Sequence, residues 1–136
     1  MRLRCLLAAM SAALGACGEP FVPSVDSIAG SYHATTFTST TGGVTTNHLS
    51  AGGEFTITLA TDGTTTGQLL VPGGAAGGGD LSANMVGTWT LVGGTVQFTQ
   101  TADTFVRDMI FTASADRLRG GQVFGNTTVR VTLDKP

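Results

Sequence analysis

Phe55-Thr56-Ile57-Thr58-Leu59-Ala60-Thr61-Asp62-Gly63-Thr64-Thr65-Thr66-Gly67-Gln68-Leu69-Leu70-Val71 is the stretch on which the fold turns. Phe55, Ile57 and Leu59 alternate with Thr56, Thr58 and Ala60. In extended chain successive side chains point to opposite faces, so this is a strand with one apolar and one hydroxyl-rich face. Asp62-Gly63 is a tight hairpin signal, because the turn needs residues that accept positive φ. Residues 67–71 read as the return strand.

The same pattern extends both ways. Residues 30–38, rich in Thr and aromatics, predict a first strand, and 44–49 a short one after the Thr41-Gly42-Gly43 loop. Residues 85–92 predict another, with Trp89 and Leu91 on one face, and Gly93-Gly94 turns it into a strand carrying Val96 and Phe98. Residues 103–107 fit a turn or a bulge. Residues 109–113 place Met109 and Phe111 on one face, and Ala115-Asp116 leads into 118–124. Gly125-Asn126 leads into Val129, Val131 and Leu133. The Gly-rich run 73–79 has little to pack and reads as a flexible loop.

About eight short strands follow, with tight turns and almost no room for helix. Parallel pairing needs crossovers of roughly a dozen residues, which the spacing does not allow. The expectation is an all-β, antiparallel up-and-down meander. Left open, it would expose two edges; closed into a barrel it exposes none. A β-sandwich is the alternative.

The first residues tell a separate story. Met1-Arg2-Leu3-Arg4 is basic, and an apolar run from Cys5 to Leu14 is broken only by Ser11. At ten residues the run falls short of the roughly 20 that span a bilayer as a helix, and it reads as a secretory signal. Leu14-Gly15-Ala16-Cys17 resembles the lipobox of bacterial lipoproteins. The resemblance implies diacylglyceryl transfer to the Cys17 thiol, cleavage before Cys17 and a membrane-anchored chain. Gly18 follows where aspartate commonly retains such proteins at the inner membrane, so the outer membrane is implied in a two-membrane cell. The expected organisation is a signal over 1–16, a lipidated tether over 17–27 with Pro20 and Pro23, and a barrel over 28–136.

Cleavage would leave 120 of the 136 residues, enough for one core. Loss of Arg2 and Arg4 leaves five basic against nine acidic residues, a formal charge of −4. Nucleic acid needs a clustered basic face, so it is not an expected partner. With Cys5 removed and Cys17 acylated, no thiol remains for a disulfide or a thiolate metal site.

Val25-Asp26-Ser27-Ile28-Ala29-Gly30-Ser31-Tyr32 resembles the entry to a lipocalin barrel, where an apolar turn precedes a Gly-x-Trp on the first strand and its aromatic plugs the base. Here Tyr32 stands for that tryptophan. A second such triplet, Gly87-Thr88-Trp89, opens the second half. The resemblance implies structural roles for Gly30 and Gly87, and an arginine stacked on the plug aromatic. Arg107 fits that role over Trp89, or else forms an exposed charge pair with little energetic weight. Tyr32, Trp89, Phe98 and Phe111 are the residues that would line a ligand space. Trp89 is read first as a core plug, with Phe55, Phe98, Phe111 and Phe124 also inside.

No catalytic or cofactor set stands out. His33 and His48 lack a third metal ligand, there is no Gly-x-Ser-x-Gly elbow, and the 73–79 run lacks the lysine of a phosphate loop. The expectation is a non-enzymatic envelope lipoprotein with a lipocalin-like barrel. Either it binds a small apolar ligand at its mouth, or its barrel is filled and it meets an envelope protein through its outer face.

Overall fold

A computed structural model describes residues 20–136. Its elements are α1 (Val25–Ile28), β1 (Gly30–Thr41), β2 (Val44–Asn47), β3 (Glu54–Leu59), β4 (Thr64–Val71), β5 (Leu81–Asn84), β6 (Gly87–Val92), β7 (Thr95–Gln100), β8 (Ile110–Ala113), β9 (Arg117–Phe124) and β10 (Thr127–Asp134). A 3-10 turn, Phe105–Asp108, joins β7 to β8.

Every pairing is antiparallel, and the circuit β1-β3-β4-β6-β7-β8-β9-β10 returns to β1. The seam between β1 and β10 joins eight residue pairs, from His33 with Asp134 to Thr41 with Thr127, as many as the β9–β10 hairpin. Closure is therefore a full ladder, and the barrel has eight strand positions. Two positions are split. β1 pairs with β3 through Gly30–His33 and with β2 through Thr38–Thr41. β4 pairs with β6 through Thr64 and Thr65, and with β5 from Gln68 onward.

The splits have a local cause. At inward positions 67 and 87 a neighbouring backbone lies where a side chain would go. A Cβ on Gly67 would sit 2.1 Å from the Thr56 carbonyl oxygen, and one on Gly87 the same distance from that of Thr99. Gly67 also has φ +150. Glycine at these points lets strands bend sharply enough to coil round a narrow interior. On β1 the bend is a bulge at Thr35, where the register to β10 slips between Ala34 and Thr36.

Period two held in the hairpin that decides the fold. Phe55, Ile57, Leu59, Leu69 and Val71 are buried, and Val129, Val131 and Leu133 on β10 join them. The structure corrects several expectations. The first strand runs three residues past 38, because pairing with β2 carries it on. Residues 81–84, which follow the Gly-rich loop and carry no expected element, pair with β4 as β5, and the strand expected over 85–92 begins at Gly87. The last three residues of the expected tether, with Ile28 of the expected barrel, form α1, closed by a capping box between Ser24 and Ser27. The ambiguous 103–107 region is the 3-10 turn, with Val106 fully buried. Phe124 is only half-buried against the core. The signal over 1–16, Cys17 and Gly18 lie outside the described residues.

Candidate functional site

Two ends of the barrel are candidates. One carries α1, the 60–63, 93–94 and 114–116 turns and the end of β10. The other carries the Gly-rich loop, the 48–53 turns and the 3-10 turn.

At the first end Tyr32 forms the floor. Its hydroxyl donates to the Ile28 carbonyl oxygen at 2.6 Å, pinning α1 beneath the barrel. Burial, and secondarily the charge of Asp116, push the Tyr32 pKa up to about 12, so the phenol stays protonated as a donor. Lys135 Nζ lies 5.5 Å from the Tyr32 ring centroid and donates to the Ser27 carbonyl oxygen at 2.8 Å. This is a cation over a plug aromatic, the device the lipocalin resemblance implied for Arg107 over Trp89. Arg107 instead pairs with Asp103 at 2.8 Å, with both side chains solvent-accessible. The exposed-pair alternative holds for Arg107, and its partner is Asp103. Nothing near Lys135 in the sequence marks it. Only the β1–β10 seam brings it beside Tyr32.

Trp89 Nε1 donates to the Ala60 carbonyl oxygen at 2.8 Å, fastening the plug to the β3–β4 hairpin. Phe98 and Phe111 meet edge to face at 5.4 Å between centroids. Tyr32, Trp89, Phe98 and Phe111 are all at most 5 % exposed. The structure thus brings the four candidate ligand-lining residues into the interior, where Phe98 and Phe111 pack on each other and all four belong to the buried core. Gly30 opens β1 at the same end, and Gly87 is the bend already described.

The opposite mouth is filled too. Phe37 packs against Phe55, Phe105 and His48, with centroids 6.3, 5.7 and 4.8 Å away. Val106 of the 3-10 turn and Met109 are buried beneath. The periodic pattern could not foresee this plug, because half of it comes from a turn.

His48 is half-buried. Its Nε2 shares a 2.8 Å hydrogen bond with Ser39 Oγ, and its Nδ1 is buried without a partner. Protonation would add an N–H with no acceptor, and burial holds the pKa below the usual 6.5. The unfolded chain takes up that proton first. This contribution to stability is therefore full above about pH 6.5 and declines as pH falls below it, until the folded imidazole itself titrates. Melting temperature is expected to drop between about pH 7 and pH 5, and His48→Gln to flatten that slope.

One polar cluster lies inside the barrel. Thr65 Oγ1 donates to the Met85 carbonyl oxygen at 2.8 Å and accepts from Gln100 Nε2 at 3.1 Å, while Gln100 Oε1 has no partner. Gln100→Leu removes the orphaned acceptor and leaves Thr65 bonded. It is expected to be neutral or to stabilise by up to about 1 kcal/mol, whereas Thr65→Val strands two polar groups and costs about 1–3 kcal/mol. Urea denaturation of both variants checks this.

On the outer wall a cleft of about 520 Å³ is lined by Thr112, Ser114, Asp116, Arg117, Arg119 and Asp134. Arg117 grips Asp134 in a two-pronged pair, Nε to Oδ1 at 2.5 Å and Nη2 to Oδ2 at 3.1 Å, and Thr35 donates to the same carboxylate at 2.6 Å. These bonds, the one from Arg117 foremost, hold Asp134 below the usual carboxylate range. The pair joins β9, β10 and the β1 bulge across the seam, so its first role is to hold the barrel shut. A second outer hollow of about 360 Å³ lies by Asn84, Val86, Thr101 and Ala102. Among the described residues no group of three or more His, Cys, Asp or Glu is placed to hold a metal ion, and no helix is long and apolar enough to cross a membrane.

These elements define a closed eight-stranded antiparallel barrel with aromatic plugs at both ends and its clefts on the outside. Compared with known proteins, the chain matches no family model, no curated protein and no solved structure.

Proposed function

We propose that this chain is a bacterial envelope lipoprotein, anchored by lipid on Cys17, whose lipocalin-like barrel is filled by its own side chains and works through its outer face on an envelope partner. It is not an enzyme on this reading. In a two-membrane cell the periplasmic face of the outer membrane is its place, since Gly18 and not aspartate follows the cysteine.

The observation that carries the reading is the occupied interior. A drug-sized apolar ligand needs roughly 300 Å³ or more of continuous space. Where it would sit, Trp89, Phe98 and Phe111 are buried against one another's neighbours, and Phe37 and Val106 stop the mouth. The outer cleft beside the Arg117–Asp134 pair offers a concave surface lined by charged and small polar groups, suited to a protein or a polar molecule. The alternative, a carrier of a small apolar molecule, has less to support it.

Two measurements test the proposal. Native mass spectrometry of the purified protein is expected to show the chain with its lipid and nothing else bound. A stoichiometric apolar passenger would replace this reading with the carrier. Cys17→Ser is expected to move the protein wholly from the membrane to the soluble fraction, because two or three acyl chains hold where a single one binds only reversibly. Retention of the serine variant on membranes would remove the lipid anchor from the account.

A further inference from the structure

Cys17 lies seven residue steps before Ser24, which caps α1 at the barrel entrance. Fully extended, seven residues span at most about 25 Å. The chain enters the barrel at the Tyr32 end, and that entrance is fastened. Tyr32 holds Ile28 of α1, Lys135 holds Ser27, and the Lys135 backbone N–H donates to the Asp116 carbonyl oxygen at 3.0 Å. A lipid on Cys17 therefore brings this end, and not the Gly-rich mouth, to the bilayer.

The segment that would meet the bilayer first is apolar and uncovered. Phe21 is 42 % exposed, Val22 75 % and Val25 43 %, three apolar side chains within five residues. Val92, on the 93–94 hairpin of the same end, is also exposed. The charges here do not favour an anionic surface. Asp26, Asp62 and Asp116 are exposed at this end, Arg117 is engaged by Asp134, and Lys135 by Ser27 and the Tyr32 ring.

We infer that the Tyr32 end of the barrel is seated on the lipid surface, with Phe21, Val22 and Val25 immersed at the boundary between headgroups and acyl chains. The inference rests on acylation of Cys17, which supplies the proximity. The apolar trio then makes the tether a docked foot instead of a loose leash. Seating is driven by removal of apolar surface from water, so it does not require anionic lipid and survives salt. It also fixes the orientation of the barrel, turning the Gly-rich loop and the 3-10 turn away from the membrane.

The test uses the acylated full chain in vesicles of zwitterionic phosphatidylcholine. The folded domain has no cysteine, so Val22→Cys and, at the far end, Val123→Cys each give one site for a nitroxide label. Both positions are exposed, so neither label disturbs the core. Collision with a water-soluble nickel chelate is expected to be several-fold weaker at 22 than at 123, with oxygen collisions showing the reverse. The difference should persist near 1 M salt, where the screening length is only about 3 Å. Equal nickel access at the two positions, in protein that still floats with the vesicles, overturns the docked foot and leaves the lipid anchor standing. Protein that does not float at all overturns the anchor and the docking together. Protection at 22 that vanishes in high salt also overturns the inference, because it points to charge-driven contact.

Discussion

Alanine at position 87 is expected to keep the barrel from closing properly. The added methyl carbon would lie 2.1 Å from the Thr99 carbonyl oxygen and 2.8 Å from Gln100 Cα, both backbone atoms of the paired strand β7. Neither can swing aside as a side-chain tip can. Relief requires β6 and β7 to separate, breaking the ladder that joins Gly87 to Gln100 and Trp89 to Phe98. Overpacking in a core usually costs about 1–3 kcal/mol, and a clash with backbone belongs at or above the top of that range. Domains of this size are stable by roughly 5–15 kcal/mol, so the variant should be severely weakened. Gly94→Ala is the matched control. It lies in the adjoining hairpin with nothing within 4 Å of the new atom, and it is expected to shift stability by no more than about 0.5 kcal/mol. Denaturant melts of the two variants should differ widely. If they coincide, the close approach of β7 to β6 is wrong.

Trp89→Ala carries the second large effect. It empties the space of an indole ring that is 5 % exposed and removes the N–H bonded to the Ala60 carbonyl oxygen. Emptying a large aromatic site in a core costs about 3–5 kcal/mol, because the surroundings collapse only in part. Trp89→Phe keeps most of the filling and loses chiefly the hydrogen bond, at about 1–2 kcal/mol. The gap between these variants measures how tightly the interior is filled. Apolar voids stay dry and admit small aromatic molecules, so indole should bind the alanine variant, raise its melting temperature and leave the wild type unmoved. Indole binding to the wild type would mean that the barrel already holds open space, and the carrier reading would regain its footing.

The four aromatic positions singled out in the sequence are all interior. Gly-x-aromatic was legible at 87–89 because glycine and ring each have a local job there, a bend and a filler, while at 30–32 the ring is the filler. The size of the remaining space was not, since it depends on how far Phe37, Phe105 and Val106 reach in from the other mouth. Lys135 was illegible for a similar reason. A lysine after the last strand reads as a solvated tail until the seam sets it over Tyr32. β5 was missed because Leu81-Ser82-Ala83-Asn84 has weak alternation and follows a glycine run. It becomes a strand because the end of β4 leaves backbone groups in need of partners.

From its sequence alone this chain is committed to strands, to the face each side chain takes along them, and to reversals at 62–63, 93–94 and 125–126. Those are properties of a few consecutive residues, because pleat and turn geometry act over that distance. The union of β1 with β10, the cation over Tyr32 and the stopped mouth were decided only in three dimensions. They depend on the accumulated twist and register of eight strands, which bring together residues about 100 positions apart, and no local pattern encodes that sum.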